Sequence, residues 1–325
     1  MRTSLIMQVL GVAEAAAIAA AEYNGRGDKV AADQAATEAM RRAFNDIDFA
    51  GRIVIGEGER DQAPMLYIGE EVGQGGVGSE KIDIAVDPLE GTNLCAYNRP
   101  NALTTIAIAP KGSLLFAPDT YMWKIAAGPA SAGRVHIDAP PAQNVAAVAD
   151  NLGKPISEVN VCILLRKRHE ELIAAVRATG ARVRLIDDGD VFGAIASAVP
   201  NTGIDLYLGS GGAPEGVLAA AGLKAIGGTF MGRLAFDLDP DGAAKRERAL
   251  KTAGIDLDAP LTMDTLVRTD DAAFIACGVT DGEMLAGVSK QGGSLTTTSI
   301  IMDAADKTVR FIKTIRRGQT GSIQF

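Results

Sequence analysis

A chain of 325 residues with 47% hydrophobic, 22% charged and 5% aromatic side chains has the composition of a folded globular protein. A disordered or fibrous chain is excluded, leaving two domains or one large α/β unit. With 40 acidic against 32 basic residues and a net charge of −8, it lacks the basic face of a general nucleic-acid binder, so an anionic ligand must be held by local basic groups or metal ions.

Residues 4–23 read as an apolar helix. Gln8 and Glu14 interrupt its hydrophobic run, so a buried, Ala-rich helix is expected rather than a membrane span. A signal peptide cut near Ala21 is the alternative. After the Gly-punctuated Asn24-Gly25-Arg26-Gly27-Asp28-Lys29, a second helix is expected from about Ala32 to Asp46, with Asp33 at its start. Arg52–Ile55 predicts a short strand ending in Gly56-Glu57-Gly58-Glu59. Ile82–Asp87 alternates with period two and predicts another strand, stopped by Pro88. Leu103–Ala109 and Ser113–Phe116 predict further strands around a Lys111-Gly112 turn. Residues 128–144, rich in Gly, Ala and Pro, suggest a linker, which sets the expected domains at 1–140 and 145–325. In the second half, strands near 159–165, 182–187, 204–209 and 225–230 alternate with helices near 167–179, 190–199 and 214–222. That rhythm predicts a parallel or mixed sheet covered on both faces. Residues 272–279, 295–302 and 308–315 read as strands that can return to the first domain. The fold class is layered α/β throughout.

Cys95, Cys162 and Cys277 form no CxxC pair, zinc pattern or disulfide framework, and are expected as buried small side chains in a reducing cytosol. Two histidines, His136 and His169, are too few for a His-rich metal site. His169 reads as a polar group at a helix start more readily than as a base. The GxGxxG match at 73–78 precedes a strand instead of following one, so it reads as a loop and not as a dinucleotide site.

Chemistry concentrates where acids stand at glycine-marked ends of elements: Asp33 just after Lys29, Glu57 with Glu59, Asp87-Pro88-Leu89-Glu90-Gly91-Thr92, and Gly211-Gly212-Ala213-Pro214-Glu215-Gly216. Converging carboxylates are what Mg²⁺ or Mn²⁺ requires. In the third segment Asp87 and Glu90 can share a metal beside the Thr92 hydroxyl, while Gly91 lets a phosphate approach free N–H groups. A strand, a proline turn and a capped helix with solvated acids give the same pattern. Arg166-Lys167-Arg168 is the strongest local basic cluster, read either as a phosphate grip or as a solvated face.

Asp-Pro-Leu-Glu-Gly-Thr resembles the metal-binding signature of the lithium-sensitive inositol-phosphatase and fructose-bisphosphatase superfamily, with Glu90 where Asp is more frequent. Gly25–Lys29, Ile53–Glu59, Ala63–Gly69, Ala117-Pro118-Asp119, Asp188-Gly189-Asp190 and Gly211–Gly216 narrow the resemblance to the class II bacterial fructose-1,6-bisphosphatases, in the same order over about 4–315. The run Gly56–Gly73 also resembles forms from photosynthetic bacteria that accept sedoheptulose 1,7-bisphosphate. The resemblance implies an α-β-α-β-α sandwich of two subdomains with mixed sheets, and metal-dependent removal of the 1-phosphate of fructose 1,6-bisphosphate. It implies two or more Mg²⁺ or Mn²⁺ ions, one on Asp33 and Glu57 and another on Asp87, Glu90 and Glu215, with Glu90 also reaching the substrate. Thr92 would activate water, with Asp33 and Lys29 as further catalytic groups, although a plain salt bridge serves Lys29 equally well. Substrate contacts carry over to Gly91, Thr92, Tyr121, Arg166, Lys167, Arg168, Asp188, Gly189, Asp190 and Gly212. Lys167 departs from a frequent Pro of the family. A cytoplasmic homo-oligomer acting on a small sugar bisphosphate, with no nucleic-acid or membrane partner, is implied. A sedoheptulose 1,7-bisphosphatase or a dual-specificity sugar bisphosphatase is the alternative, and a non-catalytic sugar-phosphate-binding module a remote one.

Overall fold

The computed structural model describes residues 1–58 and 65–317. The chain is α/β and divides into two compact units, each with a mixed sheet. The first comprises Met1–Lys111, Asp271–Asp303 and the stretch from Thr308, and the second Gly112–Asp270 with Ala304–Lys307. The chain therefore leaves the first unit at Lys111/Gly112, ahead of the Gly/Ala/Pro-rich stretch, and the last strands return to it.

The first unit begins with α1 (Thr3–Ala21), α2 (Lys29–Asn45), β1 (Ala50–Ile55), β2 (Glu71–Val72), β3 (Lys81–Glu90), α3 (Thr92–Ala96) and β4 (Leu103–Pro110). The second holds β5 (Tyr121–Ala127), α4 (Pro141–Leu152), β6 (Asn160–Leu164), α5 (Glu170–Ala178), β7 (Arg182–Ile186), α6 (Asp190–Ala196), β8 (Leu206–Gly212), α7 (Ala213–Ile226), β9 (Thr229–Ala235), α8 (Gly242–Thr252), β10 (Leu261–Thr262) and α9 (Met263–Leu266). The first unit closes with β11 (Ala273–Gly278), β12 (Ser289–Gln291), β13 (Ser294–Asp303) and β14 (Thr308–Arg317).

Among the described residues the first sheet runs β12-β13-β11-β4-β3-β1-β2, with β14 paired to β13. Only its β1–β3 pair is parallel. α1 is long and apolar enough to cross a membrane by length and composition, but Leu5, Ile6, Val9, Leu10, Ala13, Ala16 and Ala17 are buried in the core that it forms with β3, β4 and β11. Its small residues allow close approach to the sheet. α2 starts at Lys29, earlier than the sequence suggested, because the Asp28 carboxylate accepts a hydrogen bond from Ala31 N at 3.0 Å and caps the helix there.

The second sheet runs β10-β9-β5-β8-β6-β7, parallel at β8-β6-β7 and antiparallel elsewhere. Val145, Val148, Ile173 and Val176 of α4 and α5 pack on one face with Ile125, Val161, Ile163 and Leu208, and α6 and α7 pack against β5 and β8. Three sequence readings change here. Residues 128–144 are no linker: they enter a 3-10 turn and the start of α4. Ser113–Phe116 forms no strand, only a bridge from Leu114 to Val267. β9 begins at Thr229 because α7 continues to Ile226 before Gly227 ends it in the left-handed region. The central strand β5 escaped the pattern because its flanking Pro118 and Gly128 read as loop.

One buried charge ties the first unit's ends together. Glu14 of α1, 3% exposed, accepts from Thr297 Oγ1 at 2.8 Å and from Arg316 Nη2. Removing the cation strands a carboxylate in the core. Arg316 keeps part of its side chain in water, so Arg316→Met should cost about 2 kcal/mol, below the loss for a fully buried pair. A urea titration reads the loss, and adding Glu14→Gln should restore part of it.

Candidate active site

The Asp87–Thr92 segment departs from the sequence expectation in an informative way. β3 does not stop at Pro88; it continues to Glu90, with the register slipping from Asp87↔Thr105 to Glu90↔Leu103. Three steps on β3 oppose two on β4, which is a bulge, and a bulge is where a strand accepts proline. β1 pairs only as far as Ala85, so the missing proline N–H breaks no ladder bond on that side. Leu89 N donates to Asp87 Oδ1 at 3.1 Å, and Thr104 Oγ1 donates to the Pro88 carbonyl at 2.9 Å. Gly91 then turns at φ 81°, ψ 52° and starts α3 with Thr92. A side chain there would be strained, and its Cβ would meet Leu94 Cδ1 at 2.8 Å. Glu90 is buried, whereas Asp87 and Thr92 are half-buried.

The loop before α2 is held to this turn. Gly25 N and Gly27 N donate to the Cys95 and Ala96 carbonyls at the end of α3, at 2.9 and 2.8 Å. α2 packs against α3 and β3 as a result. Lys29 is exposed on the first turn of α2, and Asp33 lies one turn further along. The Asp33 carboxyl is hydrogen-bonded to Glu57, which follows β1, and burial raises its pKa above the ordinary range despite that bond. Glu59, Arg60, Asp61, Ala63 and Pro64 lie outside the described residues.

In the second unit Lys124 and Asp190 form an ion pair with side chains 1% and 6% exposed. Lys124 sits in β5 between Trp123 and Ile125, and Asp190 opens α6 after Gly189, itself in the left-handed region. The pair shapes its neighbours. A Cβ on Gly211 would fall 1.8 Å from Asp190 Oδ2, and one on Gly212 would fall 2.0 Å from Glu215 Oε2. Glycine lets β8 run this close to two carboxylates without displacing them. Glu215, on the first turn of α7, has its pKa raised by burial, against the pull of Lys124. Its Oε2 is sealed from solvent without a hydrogen-bond partner.

The basic cluster is held by backbone rather than dissolved in solvent. Arg166 Nη1 donates to the Leu165 and Asp187 carbonyls at 3.0 and 2.6 Å, and Nη2 lies 3.4 Å from Asp188 Oδ1. Arg168 lies 4.7 Å from the Tyr121 ring centroid, a cation–π contact. Tyr121 pairs with Gly212 across β5 and β8. Lys167 is exposed. The three cysteines are buried and none is in a disulfide. Burial pushes Cys95 up to about 11 and Cys277 up to about 12, so neither is a ready nucleophile.

The structure thus brings together Asp33 with Glu57, Asp87 with Glu90 to Thr92, Arg166 with Asp188, and Arg168 with Tyr121. It also gathers Asp190, Gly212 and Glu215 around Lys124. Among the described residues, no three His, Cys, Asp or Glu side chains form a group able to hold a metal ion. The donors nevertheless suit a hard divalent cation. They are all carboxylate oxygens, one pair is close enough to share a proton, and one buried Glu215 oxygen has no partner. Lys124 and Ser210 were missed from sequence. Lys124 carried a signal, a lone cation at the same strand parity as Met122 and Ala126. Ser210, inside a Gly-rich run, carried none.

Comparison with known proteins places these features in context. Residues 3–316 match the family described as bacterial fructose-1,6-bisphosphatase, glpX-encoded. A protein of Synechococcus sp. (strain JA-2-3B'a(2-13)) is 45% identical, covering 97% of this chain and 96% of the relative. One of Thermosynechococcus vestitus is 45% identical, covering 95% and 94%. One of Gloeobacter violaceus is 42% identical, covering 97% and 96%. All three bear the name D-fructose 1,6-bisphosphatase class 2/sedoheptulose 1,7-bisphosphatase. A solved structure, the extragenic suppressor from Pyrococcus furiosus, aligns over 70% of this chain and 73% of its own at 14% identity and a TM-score of 0.31, too slight a likeness to bear on the fold.

Two outcomes follow from the second unit. Lys124→Met leaves Asp190 buried and unmatched, and should cost about 3–5 kcal/mol of unfolding free energy, with the double variant Lys124→Met, Asp190→Leu recovering most of it in urea titrations. His169, facing Arg168, Arg166 and Asp190, has its pKa lowered chiefly by burial. The unfolded chain then binds the proton more readily, so its contribution to stability is complete above about pH 6.5 and is lost as pH falls below that value. Between pH 7 and 5 the wild type should therefore lose more stability than His169→Gln.

Proposed function

The chain belongs to the glpX-encoded family of bacterial fructose-1,6-bisphosphatases, and on that premise we propose that it hydrolyses the 1-phosphate of fructose 1,6-bisphosphate to fructose 6-phosphate and phosphate. The match over nearly the whole chain carries this reading. It makes the protein a phosphoric monoester hydrolase of carbohydrate metabolism. Sedoheptulose 1,7-bisphosphate is the second substrate, favoured by the double name of relatives that are 42–45% identical.

Members of this family are generally dependent on divalent metal, and we assign Mg²⁺ or Mn²⁺ here. Asp33 and Glu57 hold one ion; Asp87, Glu90 and Glu215 hold another. Bound cations supply the positive charge that phosphoryl transfer needs on its equatorial and leaving oxygens. The protein's own groups do the positioning. Thr92 Oγ1 orients the attacking water, and Thr92 follows directly on the bulge between Asp87 and Glu90 and the turn at Gly91. Asp33 and Lys29 complete the catalytic group, Lys29 offsetting the charge of the acids. Tyr121, Arg166, Lys167, Arg168, Asp188, Gly189, Asp190 and Gly212 bind the sugar and its second phosphate, with Gly91, Thr92 and Glu90 on the reacting end. In this reading the protein works as a cytoplasmic homo-oligomer.

A phosphate-release panel of fructose 1,6-bisphosphate, sedoheptulose 1,7-bisphosphate and matching monophosphates, with Mg²⁺, Mn²⁺ or chelator, tests the assignment. Release from the bisphosphates that disappears with chelator and returns with metal is the expected result; release indifferent to chelator sinks the metal assignment. Glu57→Gln, Asp87→Asn and Glu215→Gln should each lower kcat by about a hundredfold or more while remaining folded by circular dichroism. Thr92→Ala should do the same.

A further inference from the structure

His169 has no part in the chemistry above, although it is fully buried and bonded through both ring nitrogens. Its Nδ1 lies 2.7 Å from the Leu164 carbonyl, and its Nε2 lies 2.8 Å from Ser210 N and 2.9 Å from Ser210 Oγ. A backbone N–H can only donate, so Nε2 is the bare nitrogen and Nδ1 carries the hydrogen to Leu164. The neutral ring thereby fixes Ser210 at the end of β8. Ser210 passes the constraint on: its Oγ accepts from Arg168 Nε at 2.7 Å, and its carbonyl accepts from Arg168 Nη2 at 2.9 Å.

Those two bonds occupy one edge of the guanidinium. Arg has five N–H groups in a rigid plane. With the Nε–Nη2 edge on Ser210 and one face on Tyr121, the end-on edge remains, offering one N–H from each terminal nitrogen. That edge is the fork which matches two oxygens of a phosphate. Rotation about the last bonds of a free arginine would cost ordering on each encounter; here the protein has already imposed it.

We propose that His169 and Ser210 are positioning residues that set the Arg168 fork for a phosphate group of the substrate. The inference rests on the phosphatase reading for its substrate but on this chain's own hydrogen bonds for its geometry. Neither residue touches the reacting atoms; both act through Arg168.

Ser210→Ala is the sharper probe, since His169→Ala would open a cavity in the core. It removes one hydrogen bond to a charged group, so KM for fructose 1,6-bisphosphate should rise about tenfold, with kcat falling less than about threefold. In an Arg168→Lys background, adding Ser210→Ala should raise KM by less than about twofold, because Ser210 then has no fork to set. A purely structural role predicts full additivity and a falling kcat. KM unchanged in Ser210→Ala, or additive effects in the double variant, overturns the relay while leaving hydrolysis established. If the wild type releases no phosphate from either sugar bisphosphate, the functional reading fails, and the relay is judged by fluorescence instead. Trp123 is the chain's single tryptophan, with its ring 5.6 Å from that of His169. Titrating inorganic phosphate should change its emission with an apparent Kd about tenfold weaker in Ser210→Ala. An absent response in the wild type, or equal responses in both proteins, overturns the proposal.

Discussion

Charge buried beside charge is the constraint around which the second unit is organised. Lys124 and Asp190 have almost no access to water, and removing either would leave the other buried without its counter-charge. Their demand for proximity fixes where α6 begins and which face of β5 turns toward it. It also favours glycine at 211, where a Cβ would fall against the Asp190 carboxylate held by Lys124. The consequence is a strand end whose backbone lies against two acids. Glu215 is drawn into this neighbourhood with one oxygen unpartnered, an arrangement that a passive structural acid would not keep.

The first unit solves a related problem by different means. Its acids lie at the ends of β1 and β3 and on α2, and backbone turns rather than counter-charges set the place of each. The extra residue at Pro88–Leu89 shifts Glu90 into the core side of β3 while keeping Asp87 half-open. The hydrogen bonds from Gly25 and Gly27 to α3 set the start of α2, and with it Asp33, relative to the same turn. Asp33 and Glu57 then sit close enough to be hydrogen-bonded, which carboxyls tolerate only by retaining a proton or by accepting a cation.

Much of this was legible in the sequence because the informative residues are local. Asp87-Pro88-Leu89-Glu90-Gly91-Thr92 announces itself through the low supply of places where proline, glycine and two acids can stand together beside an apolar strand. The βαβ rhythm of 159–226 is likewise a matter of neighbouring residues, and α1 is written in its apolar run. What failed was local evidence read too literally. Pro88 was expected to stop β3, whereas an antiparallel partner with a bulge absorbs it. Gly, Ala and Pro at 128–144 resembled a linker, yet they open a helix packed on β5 and β6. β5 itself was hidden because a central strand takes its identity from β8 and β9, both far along the chain.

The sequence alone determined the family and the α/β class, since each of these depends on residue type and short spacing. Only the tertiary structure decided that Lys124 belongs to Asp190, that Glu215 has an oxygen with no partner, and that His169 serves Ser210 and Arg168. Those pairings join strands and helices separated by 41 to 66 residues. Sequence carries no record of which distant groups will meet; burial creates the need for partners, and the packing of the sheet chooses them.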